Sequence, residues 1–198
     1  SGMSGPGRSI RLRSSARSDR GRVRQNNEDS VHLWAEDQYV LAVVADGMGG
    51  AVAGEEASRI AVETVQESMA SDAYRKPTDY QNVNDGELAS RLHSAVQRAN
   101  RNIMERQVDM PELKGMGTTL TLAFARNDDV VLVHVGDSRA YIVDGSDGTI
   151  RQVTNDHSFV QALIDAGHIT QDEADDHPMK NVLYRALGQT PDVEIDVY

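Results

Sequence analysis

The sequence predicts an α+β domain in which antiparallel strands are layered against two long helices, and three observations carry that reading. Two β-rich runs, 31–34 and 39–45, lie close together early in the chain. Two stretches with helical periodicity follow. From residue 117 four strand-like runs are joined by connections too short for a parallel crossover. At 198 residues, 39% hydrophobic and 26% charged, the chain suits one soluble domain with a real core.

The polar stretch Ala35-Glu36-Asp37-Gln38 between the first two runs suits a hairpin. Ala53, Ala57, Ile60, Ala61, Thr64, Val65 and Met69 then follow the 3.6-residue period without an interrupting proline, which predicts a helix over 51–69, directly after a glycine-rich turn. Residues 70–84, with Pro77 and several Asn and Asp, read as a loop. Asn84 and Glu87 have capping-box spacing, and Leu88, Leu92, Val96, Ala99 and Ile103 form the apolar stripe of a second helix. Runs at 118–125, 130–135, 139–143 and 149–153, with turns at 126–129 and 144–148, predict an antiparallel meander. Short helices at 155–166 and 170–176 and a strand at 193–198 complete the pattern.

Composition narrows the chemistry. With no cysteine, any metal must be held by oxygen or imidazole, which favours hard cations. No apolar run is long enough to span a membrane, and the start lacks the apolar centre of a secretory signal, so a cytoplasmic location without membrane association is expected. Ser1-Gly2 before Met3 reads as a remnant of cloning. The net charge of −11 is uneven: residues 1–24 carry seven Arg and one Asp, leaving −17 for the remainder. Residues 1–17 are expected to be a flexible basic arm and 18–198 the domain. The acidic body argues against nucleic-acid binding.

Three acidic groups fall at strand ends, where rigid scaffolds present functional side chains: Glu28-Asp29, Asp46, and Asp137 in Gly136-Asp137-Ser138. Asp46 ends an apolar run, where an unpaired charge is costly, and after it no Lys or Arg occurs before Arg59. A cation would answer that charge, with the glycines of Gly47-Met48-Gly49-Gly50 letting carbonyls approach. The alternative is an ordinary Asp-Gly turn. Arg24 offers a guanidinium matched to phosphate oxygens, or an ion pair with the acidic body. Arg139 reads as a local ion-pair partner of Asp137, Asp156 as a helix cap, and His157 as structural or flap-anchoring. No Cys and no G-x-S-x-G elbow support a nucleophile.

Five blocks, in order, carry a resemblance: Gly21-x-x-Arg24-x-x-Asn27-Glu28-Asp29; Ala45-Asp46-Gly47-Met48-Gly49-Gly50; Gly115-Met116-Gly117-Thr118-Thr119-Leu120; Val135-Gly136-Asp137-Ser138-Arg139-Ala140-Tyr141; and Thr154-x-Asp156-His157-Ser158. Together they resemble the bacterial PPM family of metal-dependent (type 2C) serine/threonine protein phosphatases. The resemblance implies a four-layer α-β-β-α sandwich of two antiparallel sheets flanked by helices. It implies hydrolysis of phosphoserine and phosphothreonine in proteins by a metal-activated water, without a phosphoenzyme. Asp46 would bridge two Mg²⁺ or Mn²⁺ ions, the Gly47 carbonyl would ligate one, Glu28 and Asp29 would hold them through water, and Asp137 would help hold a third. Arg24 would bind the substrate phosphate, and residues of about 156–188 would form a flap. The implied partners are phosphorylated proteins, including a serine/threonine kinase, met by a monomer.

Two departures stand out. Met48 and Ala51 occupy the region where many relatives carry a histidine, so no general acid is assigned there. The family's later Ser-Asp-Gly and Asp-Asn blocks have no counterpart before Tyr198. Three readings follow: a C-terminally shortened phosphatase with impaired turnover, a noncatalytic phosphoprotein-binding pseudophosphatase or regulatory module, or a site completed by another chain.

Overall fold

A computed structural model describes residues 10–198; residues 1–9 of the expected arm, with the Ser1-Gly2 remnant, lie outside the described residues. β1 (Asp29–Glu36) and β2 (Tyr39–Met48) form the predicted hairpin, but its turn is tighter than the sequence suggests. Glu36 pairs with Tyr39 across a two-residue connection, and the register runs down to Asp29 opposite Asp46. Along β2, Leu41, Val43 and Ala45 are buried and alternate with the exposed Val44, the period-2 pattern of a strand with two different faces.

The apolar face of this hairpin is covered by α1 (Ala51–Met69), which buries Ala53, Ala57, Ala61, Val65 and Met69. α2 (Asp85–Asp109) packs on α1 with the predicted stripe Leu88, Leu92, Val96, Ala99 and Ile103 wholly inside. Its N-cap is Asn84, whose side chain accepts the Glu87 N–H at 2.8 Å. Between the helices, 70–84 is not a featureless loop: Pro77–Tyr80 makes a 3₁₀ turn, and Tyr80 is fully buried with its hydroxyl donating to the Met69 carbonyl at 2.5 Å.

After β3 (Gly117–Thr118), which pairs with Gly47 and Met48, β4 (Leu120–Arg126) lies on the other side of β2. β5 (Asp129–Val135) follows, and β8 (Asp196–Val197) closes the order β1-β2-β4-β5-β8. Arg126, expected in a turn, is instead the buried last residue of β4; it donates to the Tyr80 and Val83 carbonyls and pairs with Asp85.

The four-strand meander is corrected in one respect. β6 (Tyr141–Val143) and β7 (Ile150–Gln152) pair only with each other, because the chain leaves the sheet at Gly136 and β8 occupies the outer edge of β5. The architecture of the described residues is therefore mixed α+β: antiparallel sheets, with α1 and α2 on one face of the larger one. Val31, Val44 and Val130 on the opposite face, and Tyr141, Ile142, Val143 and Ile150 on the hairpin, are exposed. α3 (Phe159–Asp165) and α4 (Gln171–Asp175) follow β7, capped by Ser158 and Thr170. Among the described residues no helix is long and apolar enough to cross a membrane.

Candidate metal and phosphate site

The β1–β2 register brings two of the singled-out carboxylates face to face. Asp29 and Asp46 are direct cross-strand partners, a position at which like charges destabilise a sheet. The consequence is visible in Asp46, whose carboxyl is pushed up to about 6 by partial burial, by the neighbouring Asp29 charge and a proton shared with it, and by Asp137; Arg24 pulls the other way. Asp137 is raised too, by burial and by the charge of Asp156. Asp29, Asp46 and Asp137 thus share one electrostatic field.

Asp46 is held at its backbone rather than at its carboxylate. Its N–H donates to Thr119 Oγ1 at 3.0 Å, its carbonyl accepts the Thr119 N–H at 2.9 Å, and Thr119 Oγ1 meets Ser138 Oγ at 2.7 Å. The side chain is left to meet Asp29 at the exposed end of the hairpin. Next to it, the Gly47 N–H donates to the Glu28 carbonyl at 3.0 Å, joining the two acidic segments. A Cβ on Gly47 would lie 1.9 Å from the Gly54 carbonyl oxygen in the first turn of α1, so only glycine lets the helix start this close to the strand.

Arg24 reaches the group from outside. Its side chain is 69% exposed, and its Nη1 lies 3.4 Å from Glu28 Oε2, the ion pair that the sequence offered as the alternative to phosphate binding. So long and exposed a contact contributes little and gives way readily to a better anion. The six singled-out positions are therefore placed together: Arg24 and Glu28 on the approach to β1, Asp29 against Asp46, Gly47 beside it, and Asp137 within the same field.

The donors suit a hard dication in kind, since they are carboxylates whose mutual repulsion a bound cation would relieve. In number they are sparse: among the described residues no three acidic or imidazole side chains converge tightly enough to form a cage by themselves.

Other expectations are revised. Arg139 does not pair with Asp137; it makes a two-pronged contact with Asp156, Nε to Oδ1 at 3.0 Å and Nη2 to Oδ2 at 2.7 Å. Asp156 is thereby occupied, and Ser158 caps α3 in its place. His157 is structural, buried and bonded on several sides, and it belongs to a network that sequence reasoning missed. Its Nδ1 accepts the Gly136 N–H at 2.9 Å, so the neutral ring carries its proton on Nε2, which donates to Asp196 Oδ2 at 2.6 Å. Arg185 Nη1 also binds Asp196, at 3.0 Å. Burial lowers the His157 pKa, as does Arg185, against the opposing pull of Asp196. His134 packs against it with the rings tilted and their centroids 4.9 Å apart, and is bonded to Thr121 and to the Asn155 carbonyl. These partners are separated by up to 39 residues, and no local spacing signals them.

Comparison with known proteins gives a consistent result. The family model described as Protein phosphatase 2C matches residues 18–190. A serine/threonine phosphatase, stp, of Listeria welshimeri is 39% identical over 183 residues, covering 92% of this chain and 69% of that enzyme. The serine/threonine protein phosphatase PstP of Mycobacterium tuberculosis is 43% identical over 177 residues, covering 89% of this chain and 31% of that longer protein. A crystal structure of the catalytic domain of PstP in complex with two manganese ions superposes with a TM-score of 0.72 at 38% identity, over 93% of this chain and 70% of that one.

Proposed function

The chain belongs to the protein phosphatase 2C family, and on that premise we propose that it hydrolyses phosphoserine and phosphothreonine in proteins at the site organised by Asp46. The observation that carries this reading is the opposition of Asp29 and Asp46 at the rigid end of a hairpin, a repulsive pair that makes sense where cations are to be bound. Its substrates would be phosphorylated proteins, including a kinase whose action it opposes.

Asp46 and Asp29, with Glu28, the Gly47 carbonyl and Asp137, would hold Mg²⁺ or Mn²⁺; two manganese ions occupy the related PstP structure. Bound there, such ions would lower the pKa of water for attack on phosphorus and offset developing charge. The chain's own residues do the rest. Arg24 turns from Glu28 to the phosphate oxygens and orients the ester, Thr119 fixes the Asp46 backbone, and the exposed β1–β2 end leaves room for a protein substrate. Water oxygen bonds to phosphorus as the P–O bond to the seryl or threonyl oxygen breaks, releasing inorganic phosphate and the free hydroxyl, with no phosphoenzyme required. A four-layer α-β-β-α sandwich would set its second sheet against the exposed Val31, Val44 and Val130 face.

The test is Mn²⁺-dependent release of phosphate from a phosphothreonine peptide. Asp46→Asn should abolish it, and full activity in that variant would refute the site assignment. A noncatalytic phosphoprotein-binding module using Arg24 is the competing reading, favoured by the sparse acidic donors. It predicts Arg24-dependent peptide binding with no phosphate release at saturating Mn²⁺.

A further inference from the structure

We propose that His157 is a positioning residue for Asp137: it grips Gly136 at both its N–H and its carbonyl and so fixes the turn that presents Asp137 to the site. The role given to Asp137 rests on the metal-site reading above; the grip does not.

Gly136 is buried, has φ +111°, and is the hinge at which the chain leaves the sheet after β5. One side is closed by Thr119, since a Cβ there would lie 2.7 Å from Thr119 Cγ2. The other side is closed by His157, whose ring Nδ1 accepts the Gly136 N–H at 2.9 Å while its backbone N–H donates to the Gly136 carbonyl at 2.8 Å. Thr119 in turn bonds the backbone of Asp46, so Asp46 and Asp137 are set by a single frame running from Thr119 through Gly136 to His157.

The histidine is itself held from three directions. Asp196 accepts a hydrogen bond from the Nε2–H, His134 lies against the ring, and the Tyr184 N–H donates to the His157 carbonyl at 3.1 Å. A histidine needed only to fill space would not require both ring nitrogens to be assigned. Here the Asp196 bond selects the tautomer that leaves Nδ1 free to accept, the arrangement by which a remote carboxylate directs the useful nitrogen of an imidazole.

Two substitutions separate this role from a general contribution to folding. In His157→Asn the amide oxygen lies near the place of Nδ1 and can still accept from Gly136. In His157→Gln the amide nitrogen lies near the place of Nε2 and keeps only the Asp196 bond. We expect exchange of the Gly136 amide proton, followed by NMR on the full chain, to speed up by about tenfold or more in His157→Gln, on the scale of one lost buried hydrogen bond, and to stay near wild type in His157→Asn. Calorimetric titration with Mn²⁺ should show severalfold weaker binding in the Gln variant and near-normal binding in the Asn variant.

Unchanged Gly136 exchange in His157→Gln would overturn the proposal, as would equal loss of Mn²⁺ binding in both variants with equal Gly136 protection. Should wild type bind no Mn²⁺, the metal reading of the site falls, and the Gly136 exchange rates alone decide whether His157 is the clamp.

Discussion

Asp46→Asn should make the metal-free protein more stable, not less. At ~1.4 kcal/mol for each tenfold in proton affinity, a rise of the Asp46 carboxyl from 3.8 to about 6 corresponds to about 3 kcal/mol. Asp46 is exposed, so solvent screening reduces this to on the order of 1 kcal/mol. A carboxyl whose folded pKa is raised favours the folded state fully below its unfolded value, and that contribution is lost as pH rises through the folded value. At pH 7.5 in EDTA the wild type therefore bears the whole penalty, whereas the Asn side chain, which can donate to Asp29 and never ionises, bears none.

Urea unfolding in EDTA at pH 7.5 should show the variant ahead by on the order of 1 kcal/mol, equivalent to roughly 2–4 °C in Tm for a domain of this size. At pH 4.5 the gap should fall to about a third, because the folded carboxyl is then mostly protonated. Saturating Mn²⁺ should reverse the order, since binding to the folded state adds about 2.7 kcal/mol at a hundredfold excess over Kd and the variant would lack the carboxylate proposed as the central ligand. A variant no more stable than wild type at pH 7.5 in EDTA, or a gap that does not shrink on acidification, would refute the account of Asp46 as a carboxylate held in an unfavourable field.

Five other substitutions probe separate parts of the structure. Gly136→Ala combines φ +111° with a Cβ 2.7 Å from Thr119 and should cost about 3 kcal/mol by urea unfolding; Gly50→Ala, with φ +98° but open space, should cost only about 1 kcal/mol. Arg126→Ala orphans the Tyr80 and Val83 carbonyls and should cost about 3 kcal/mol while leaving KM for a phosphopeptide unchanged. His134→Phe should be destabilised at pH 7.5. Burial holds the His134 pKa below 6.5, so the stability given by its neutral form is present above 6.5 and lost as pH falls, and the gap to wild type should narrow by pH 5.5. Arg24→Ala should raise KM about tenfold with kcat little changed, in steady-state assays on a phosphothreonine peptide, if the guanidinium binds the ground-state phosphate.

What was legible in the sequence, and what was not, follows from the range of the forces involved. The helices were legible because the stripe from Leu88 to Ile103 is set by local periodicity, and the Asn84 cap by a three-residue reach. The acidic positions were legible because a carboxylate at the end of an apolar strand needs an answer within its own neighbourhood. Their mutual geometry was not, and the reason is a turn. With 35–38 read as the connection, Trp34 closes on Tyr39 and Asp29 falls opposite Val44. The actual two-residue turn pairs Glu36 with Tyr39 and carries Asp29 down to Asp46. A difference of two residues at the far end of the hairpin decides whether the two carboxylates meet. The same limit explains Arg139 and Asp156, whose local readings are overridden by their pairing with each other, and His157, whose partners Gly136 and Asp196 no local spacing signals. Local signals thus locate the groups that can do chemistry, while the contacts that aim them, Thr119 on Asp46 and His157 on Gly136, arise only when strands far apart in the chain are brought side by side.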